Sequence, residues 1–237
     1  MIKMELVRLN KYLAGLGVCS RREADKLIME GLIKLNDRVI GELGIKIDPS
    51  RDQVKVDDKV FEMREKLVYI MLNKPKGYVT TCKKTLVEDK IVLDLLKIKE
   101  RVYPVGRLDK DSKGLLILTN DGLLSYKLTH PSHECEKEYL VITNKKIPDG
   151  ALKKLVAGVK LWGEKTKETE IKRVGENSFT IILREGKNRQ IRRIVRKVGY
   201  FVVDLKRFRI GKLLLGNLKE GEYRFLKKEE VSDLSLT

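Results

Sequence analysis

Apolar positions recur along the chain with two different periods, one helical and one alternating. Leu9, Tyr12, Leu13 and Leu16 fall at helical spacing and stop at Gly17, which predicts a short first helix. Ser20 and Glu23 form a capping box that opens a second helix with Ala24, Leu27 and Ile28 on its inner face, ending at Gly31. Ile33 and Leu35 then alternate into a turn at Asn36, Asp37 and Arg38, and Val54 with Val56 predicts a later strand. Residues 6–62 thus read as a compact unit, the charged and aperiodic 63–66 as a linker, and 67–237 as a larger unit.

The larger unit opens with an apolar strand over 67–72 that runs into Asn73, Lys74, Pro75, Lys76 and Gly77, where proline and glycine make a turn. A loop over 81–90 and a short helix over 91–96 precede the stretch YPVGRLDKDSKGLLILTNDG, residues 103–122. Within it, 115–118 is too apolar to be a surface loop, and Asp121 is placed to cap a helix carrying Leu123, Leu124 and Leu128. Further strands are predicted over 139–142, 169–174, 179–183 and 201–210, the last with Val203, Leu205 and Phe208 alternating against Asp204, Lys206 and Arg209. A helix over 151–157 closes at Gly158, Trp162 reads as a packing residue, and 227–234 reads as a short terminal helix or tail. A last helix starts near Asn188 and ends at Gly199, with Ile191, Ile194, Val195 and Val198 on one buried face.

Charge narrows the partners. The 237 residues carry 51 Lys and Arg against 34 Asp and Glu, a net charge of +17, so a polyanion is the first partner to consider, nucleic acid ahead of an anionic membrane surface. No apolar run is long enough for a membrane span and the first residues lack the apolar core of a secretory signal, which places the protein in the cytoplasm. The excess is also local. Residues 184–212 hold eleven basic residues against Glu185 and Asp204. The helix there presents Arg189, Arg193, Arg196 and Lys197 outside its apolar face and, with Lys187 and Asn188, suits a groove for an RNA backbone. Arg21, Arg22 and Lys26 on the outer face of the second helix suit phosphate capture in the same way. Arg192 lies beside the apolar stripe rather than opposite it, so it can point inward.

The candidate chemistry centres on Asp109, set between a tight turn at Gly106 and the buried run, with Arg107 and Lys110 on either side. On the residues alone, Asp109 paired with Arg107 or Lys110 in a surface turn is an open alternative. There is no glycine-rich phosphate loop and no zinc-ligand spacing, and the two histidines, His130 and His133, sit in a charged loop, which weakens readings as a methyltransferase, deaminase or helicase.

GRLDKDSKGLLILTNDG resembles the central motif of the pseudouridine synthases that modify ribosomal RNA and carry an extra N-terminal RNA-binding domain. RLNKYLAGLGVCSRREADKLIMEGLIKLN is similar to the α-L RNA-binding domain, and KPKGY, KEYLV and EGKNRQIRR resemble further motifs of the same family in the same order. The resemblance implies a small α-L domain and an α+β catalytic domain around a mixed, mostly antiparallel sheet with the cleft across its middle. It assigns Asp109 as catalytic carboxylate, Tyr139 as the ring that stacks on the target base, and Arg192 as the cation paired with Asp109, with Arg193 as the fallback. Arg107 is to assist base extrusion, and KPKGY is to support the catalytic loop, with Lys74 counted among the RNA contacts. Neither metal nor cofactor is expected. The implied substrate is a uridine of large-subunit ribosomal RNA, free or in an assembly intermediate, met by a monomer. Transfer RNA or small-subunit RNA, and a non-catalytic RNA-binding role, are the alternatives.

Overall fold

A computed structural model of the chain describes residues 6–16, 19–49, 51–57, 59–60, 66–85, 90–161 and 163–236. Gly17, Trp162 and residues 63–65 of the expected linker lie outside them. The chain forms two compact units, Met1–Leu67 with Lys99–Arg101 and Val68–Ile98 with Val102–Thr237.

The first unit runs β1 (Val7–Arg8), α1 (Leu9–Gly15), α2 (Arg21–Met29), β2 (Ile33–Leu35), β3 (Arg38–Ile40), β4 (Lys46–Ile47), β5 (Val54–Val56) and β6 (Lys59–Val60). The helical stripes meet as their spacing requires: Leu9, Tyr12 and Leu13 of α1 pack with Ala24 and Ile28 of α2 over Ile33, Ile47 and Val54. Ser20 Oγ accepts the Glu23 N–H at 3.2 Å and starts α2. Asn10 donates to Asp25 at 2.8 Å and ties the two helices together. Arg21, Arg22 and Lys26 are left on the exposed side of α2.

The second unit continues with β7 (Tyr69–Lys74), β8 (Tyr103–Val105), β9 (Lys113–Thr119), α3 (Gly122–Thr129), β10 (Lys137–Thr143), α4 (Asp149–Val156), β11 (Lys160–Leu161) and β12 (Glu164–Lys165). It ends with β13 (Ile171–Gly175), β14 (Ser178–Leu183), α5 (Gln190–Lys197), β15 (Val202–Ile210), β16 (Leu213–Leu214), β17 (Tyr223–Phe225) and α6 (Lys228–Ser235). The nine-stranded sheet has the order β13-β14-β10-β15-β9-β7-β17, with β16 on β15 and β8 on β9. Its ladders are antiparallel except one. β15 and β9 run parallel at the centre, joined only at Lys206 with Lys113 and Arg207 with Gly114.

That short seam explains the strongest apolar run. Leu115 and Ile117 of β9 face a core with Leu124, Leu128 and Leu234, while Leu116 and Leu118 face a second core with Ile70, Leu72, Val92 and Leu108. A strand covered on both faces has no polar side to show. Asp121 caps α3 as anticipated, its Oδ1 accepting Leu123 N–H at 2.8 Å and Leu124 N–H at 3.1 Å. On the other side of the seam, Ile191, Ile194 and Val195 of α5 join Val141, Phe179, Ile181 and Leu205 in a third core.

Two expectations need correcting. Residues 91–96 form only a single 3-10 turn, Val92–Leu95, too short for an α-helix. On β15, Val203 is exposed, and strict alternation from Leu205 turns Arg207 inward.

Gly114 lets the seam close. Its φ is +107° and an added Cβ would stand 2.1 Å from the Arg207 carbonyl oxygen. Gly77 also has positive φ, at +88°, but no described atom lies within 4 Å of the added Cβ. Gly114→Ala should therefore cost more than roughly 3 kcal/mol and Gly77→Ala about 1 kcal/mol, read by urea denaturation; similar losses at the two positions would contradict this account.

Candidate active site

Residues 106–112 connect β8 to β9, and the turn after β7 holds them from beneath. Lys74, at the end of β7, is 0% exposed. Its Nζ donates to the carbonyls of Pro75 at 3.0 Å, Asp109 at 3.1 Å and Ser112 at 2.8 Å. Gly77 N–H donates to Lys110 O at 2.8 Å, and Thr80 Oγ1 donates to Leu108 O at 2.7 Å. With the Asp109 carbonyl also accepting Ser112 N–H at 3.0 Å, the backbone is fixed and the carboxylate, 32% exposed, is left facing outward. The expected RNA contact at Lys74 is corrected by this geometry. Its three donors are committed to converging carbonyls inside the protein.

The nearest cation to Asp109 is Arg189, with Nη1 at 3.6 Å from Oδ2. Arg189 immediately precedes α5 and adopts a left-handed backbone, φ +48° and ψ +35°. A non-glycine residue held there stores strain, and here the side-chain contacts hold it. Its guanidinium takes Asp111 in a two-pronged pair, Nη1 to Oδ1 at 3.1 Å and Nη2 to Oδ2 at 3.0 Å. Arg192 does point inward, but to the next stretch of the loop: Nη2 donates to Asp111 O at 3.0 Å and lies 3.4 Å from Asp111 Oδ2, while Nη1 donates to Val202 O at 3.1 Å. The expected pairing of Arg192 with Asp109 is thus replaced by Arg189, because the turn before the helix carries the earlier arginine to the carboxylate. Partial burial works to raise the Asp111 carboxyl, but the hydrogen bonds from Arg189 and the Arg192 charge outweigh it and hold it below the usual range.

Asp109 and Arg189 line an open cleft of about 490 Å³, a volume that includes the solvent at its mouth. Asp109 and Arg107 stand at the loop side, Tyr139, Leu183 and Leu205 rise from the sheet, and Lys187, Arg189 and Gln190 close the α5 side. Tyr139 belongs to β10 and pairs with Ile181 of β14 and Arg207 of β15. The cleft therefore lies over strands on one side of the seam and under a loop fixed to the other.

The remaining expected contacts are spread over the surface around it. Arg107, Asn188, Arg193 and Arg196 are exposed. Lys187 is half-buried, with Glu164 at 3.3 Å. Arg193 donates to Asn188 at 3.0 Å, which folds it back over its own loop and away from the fallback role at Asp109. Arg196 lies over the ring of Phe201, 5.9 Å from its centre. Asp111 and Arg207 were missed in the sequence. The first had a signal, a second carboxylate two residues from Asp109; the second was legible only by holding strict alternation along β15.

The chain matches the RNA pseudouridylate synthase family over residues 68–197 and the S4 domain over residues 7–54, and it belongs to the RNA pseudouridine synthases, which are isomerases. It is 42% identical over 230 residues to the dual-specificity RNA pseudouridine synthase RluF of Escherichia coli (strain K12), covering 96% of this chain and 78% of that one. It is 39% identical over 234 residues to the ribosomal large subunit pseudouridine synthase B of Bacillus subtilis (strain 168), covering 96% and 95%. An RNA pseudouridine synthase of Aquifex aeolicus (strain VF5) is 40% identical over 233 residues, covering 96% and 93%. Among solved structures, a pseudouridylate synthase superposes with a TM-score of 0.71 at 30% identity, covering 96% of this chain and 99% of that one. The α+β architecture with a mixed, mostly antiparallel sheet is the one its sequence motifs implied.

Burial pulls the Lys74 ammonium from its ordinary value near 10.5 down to about 8, against the opposing pull of the Asp109 and Asp111 carboxylates. Below that point both folded and unfolded chains carry the proton and the cost of burying the charge is constant. Between about 8 and 10.5 the unfolded chain binds more protons at this site, so stability rises with pH. The native chain should gain up to roughly 1.4 kcal/mol per pH unit over Lys74→Met across that window, measured by urea denaturation. Parallel profiles would contradict the assignment.

Proposed function

We propose that this synthase isomerises a uridine of large-subunit ribosomal RNA, with Asp109 as its catalytic carboxylate. The observation that carries the reading is the Asp109 carboxylate facing a cleft that also holds Tyr139, with the Arg189 guanidinium 3.6 Å away. Isomerisation breaks the bond from ribose C1′ to uracil N1, turns the base and rejoins C1′ to C5, with the C5 proton released. It needs a carboxylate that acts as nucleophile or as counter-charge to the sugar, a cation that orients it, and a surface for the detached base. Asp109, Arg189 and Tyr139 fill these roles, and aromatic stacking at Tyr139 contributes roughly 1–3 kcal/mol to holding the base.

Arg107, exposed beside Asp109, enters the RNA where the base leaves the helix. Lys187, Asn188, Arg193 and Arg196 follow the backbone, and Arg21, Arg22 and Lys26 of the S4 unit add a second phosphate-binding face. The names of the Bacillus subtilis and Escherichia coli relatives favour large-subunit RNA and make dual specificity the second reading. Among the described residues no helix is long and apolar enough to cross a membrane. We place the protein in the cytoplasm as a monomer that meets its RNA free or in assembly intermediates.

Transcripts carrying tritium at uridine C5 test the reading. The native chain should release tritium from large-subunit ribosomal RNA, while Asp109→Asn should release it at least roughly a thousandfold more slowly at unchanged RNA affinity. Equal release by both would remove Asp109 from the chemistry. Release from transfer RNA transcripts alone would move the substrate.

A further inference from the structure

Arg207 has a guanidinium that nothing above uses. It is 2% exposed, its Nε donates to the Leu115 carbonyl at 2.8 Å, and its Nη2 is buried with no hydrogen-bond partner among the described residues. Arginine does not give up its proton, so a full charge with an unused donor sits in the interior. Such a position is costly, and an apolar side chain of similar size is often as good or better for folding. The site around it explains what the charge does. Arg207 pairs across the sheet with Tyr139, and its guanidinium carbon lies over the tyrosine ring, 6.0 Å from the centre. Tyr139 lines the cleft, whereas Arg207 is buried and is not among the residues that line it. Lys74, buried beneath the Asp109 loop, is a second buried cation.

We propose that Arg207 is a positioning residue for the isomerisation and acts through Tyr139, its guanidinium backing the ring and stabilising the negative charge that uracil acquires during the reaction. This rests on the synthase reading. When the N1–C1′ bond breaks, its electron pair stays with the base and spreads over N1, O2 and O4, while C1′ is left electron-deficient beside Asp109. Rejoining at C5 returns a pair to C1′, the C5 proton leaves to solvent and N1 takes a proton up, so the product is neutral and nothing is oxidised or reduced. If Asp109 adds to the base instead, negative charge again appears on a uracil carbonyl oxygen. In both routes the charge exists only after binding, so the cation favours the reacting state over the bound uridine. An aromatic face is normally electron-rich and a poor neighbour for an anion, and a cation on its far side corrects that.

Three variants separate charge from packing. Arg207→Lys keeps the charge, Arg207→Gln keeps a donor for the Leu115 carbonyl without charge, and Tyr139→Leu removes the ring. Single-turnover tritium release from the ribosomal RNA transcript should fall roughly tenfold to a hundredfold in Arg207→Gln and distinctly less in Arg207→Lys, with RNA affinity within about twofold of native in both. In the Tyr139→Leu background the further loss from Arg207→Gln should shrink to less than about twofold. If Arg207→Gln does not fold, Arg207→Met takes its place with the same expectation. Native rates in the uncharged variant, equal losses in Gln and Lys that track melting temperature, or a full penalty without the ring would each overturn the inference. A native chain that isomerises no uridine would overturn the synthase reading with it, whereas an active native chain, an inactive Asp109→Asn and an unaffected Arg207→Gln would overturn this inference alone.

Discussion

One buried ammonium holds the catalytic loop in shape. Three carbonyl oxygens, from Pro75, Asp109 and Ser112, converge on Lys74 Nζ, and a tetrahedral ammonium is the side-chain group that can satisfy all three at once. The constraint explains why β7 ends where it does and why a proline and a glycine follow at once. The chain must turn back under the loop, so that Gly77 and Thr80 can bind Lys110 and Leu108. With the carbonyls from Leu108 to Ser112 engaged, the Asp109 side chain is the part left over for chemistry.

The charges above this anchor are arranged as a shared pair rather than a simple ion pair. Asp111 takes the fork of Arg189 squarely and leaves it 3.6 Å from Asp109, within ion-pair reach and too far to occupy its lone pairs with a hydrogen bond. A carboxylate locked into a two-pronged pair is a poor nucleophile. Placing the better partner two residues along the loop gives Asp109 the field of a cation without its grip. Asp204 plays a quieter part on the far side, bridging Lys76 at 2.6 Å and Lys113 at 2.9 Å, so that both ends of the supporting turn and loop meet one anion.

How much of this was legible in the sequence follows from how local each cause is. The caps at Ser20 and Asp121 and the apolar stripe of α5 depend on residues within a turn or two of each other, and their positions can be read directly. The inward direction of Arg192 was legible from its place beside that stripe. Its carboxylate partner was not, because the choice depends on a left-handed turn at Arg189 that no propensity favours. Lys74 reads as a surface lysine until the carbonyls of a loop some thirty-five residues later are placed around it. Arg207 shows the same limit. Within a run of basic residues nothing marks the one whose neighbours across the sheet are a glycine and the cleft tyrosine.

The two-residue parallel seam between β9 and β15 has a consequence for how the enzyme comes into being. Parallel neighbours cannot be joined by a hairpin, and here the whole of α3, β10, α4, β11 to β14 and α5 is made between them. During synthesis the loop bearing Asp109 and its lysine anchor leave the ribosome early, while Arg189 and the strand that completes the sheet come much later. A nascent chain thus carries the reactive carboxylate for a long interval before the cation and the floor of the cleft exist. The cleft is complete only once β15, which supplies Leu205 and pairs with both β9 and β10, has joined the sheet.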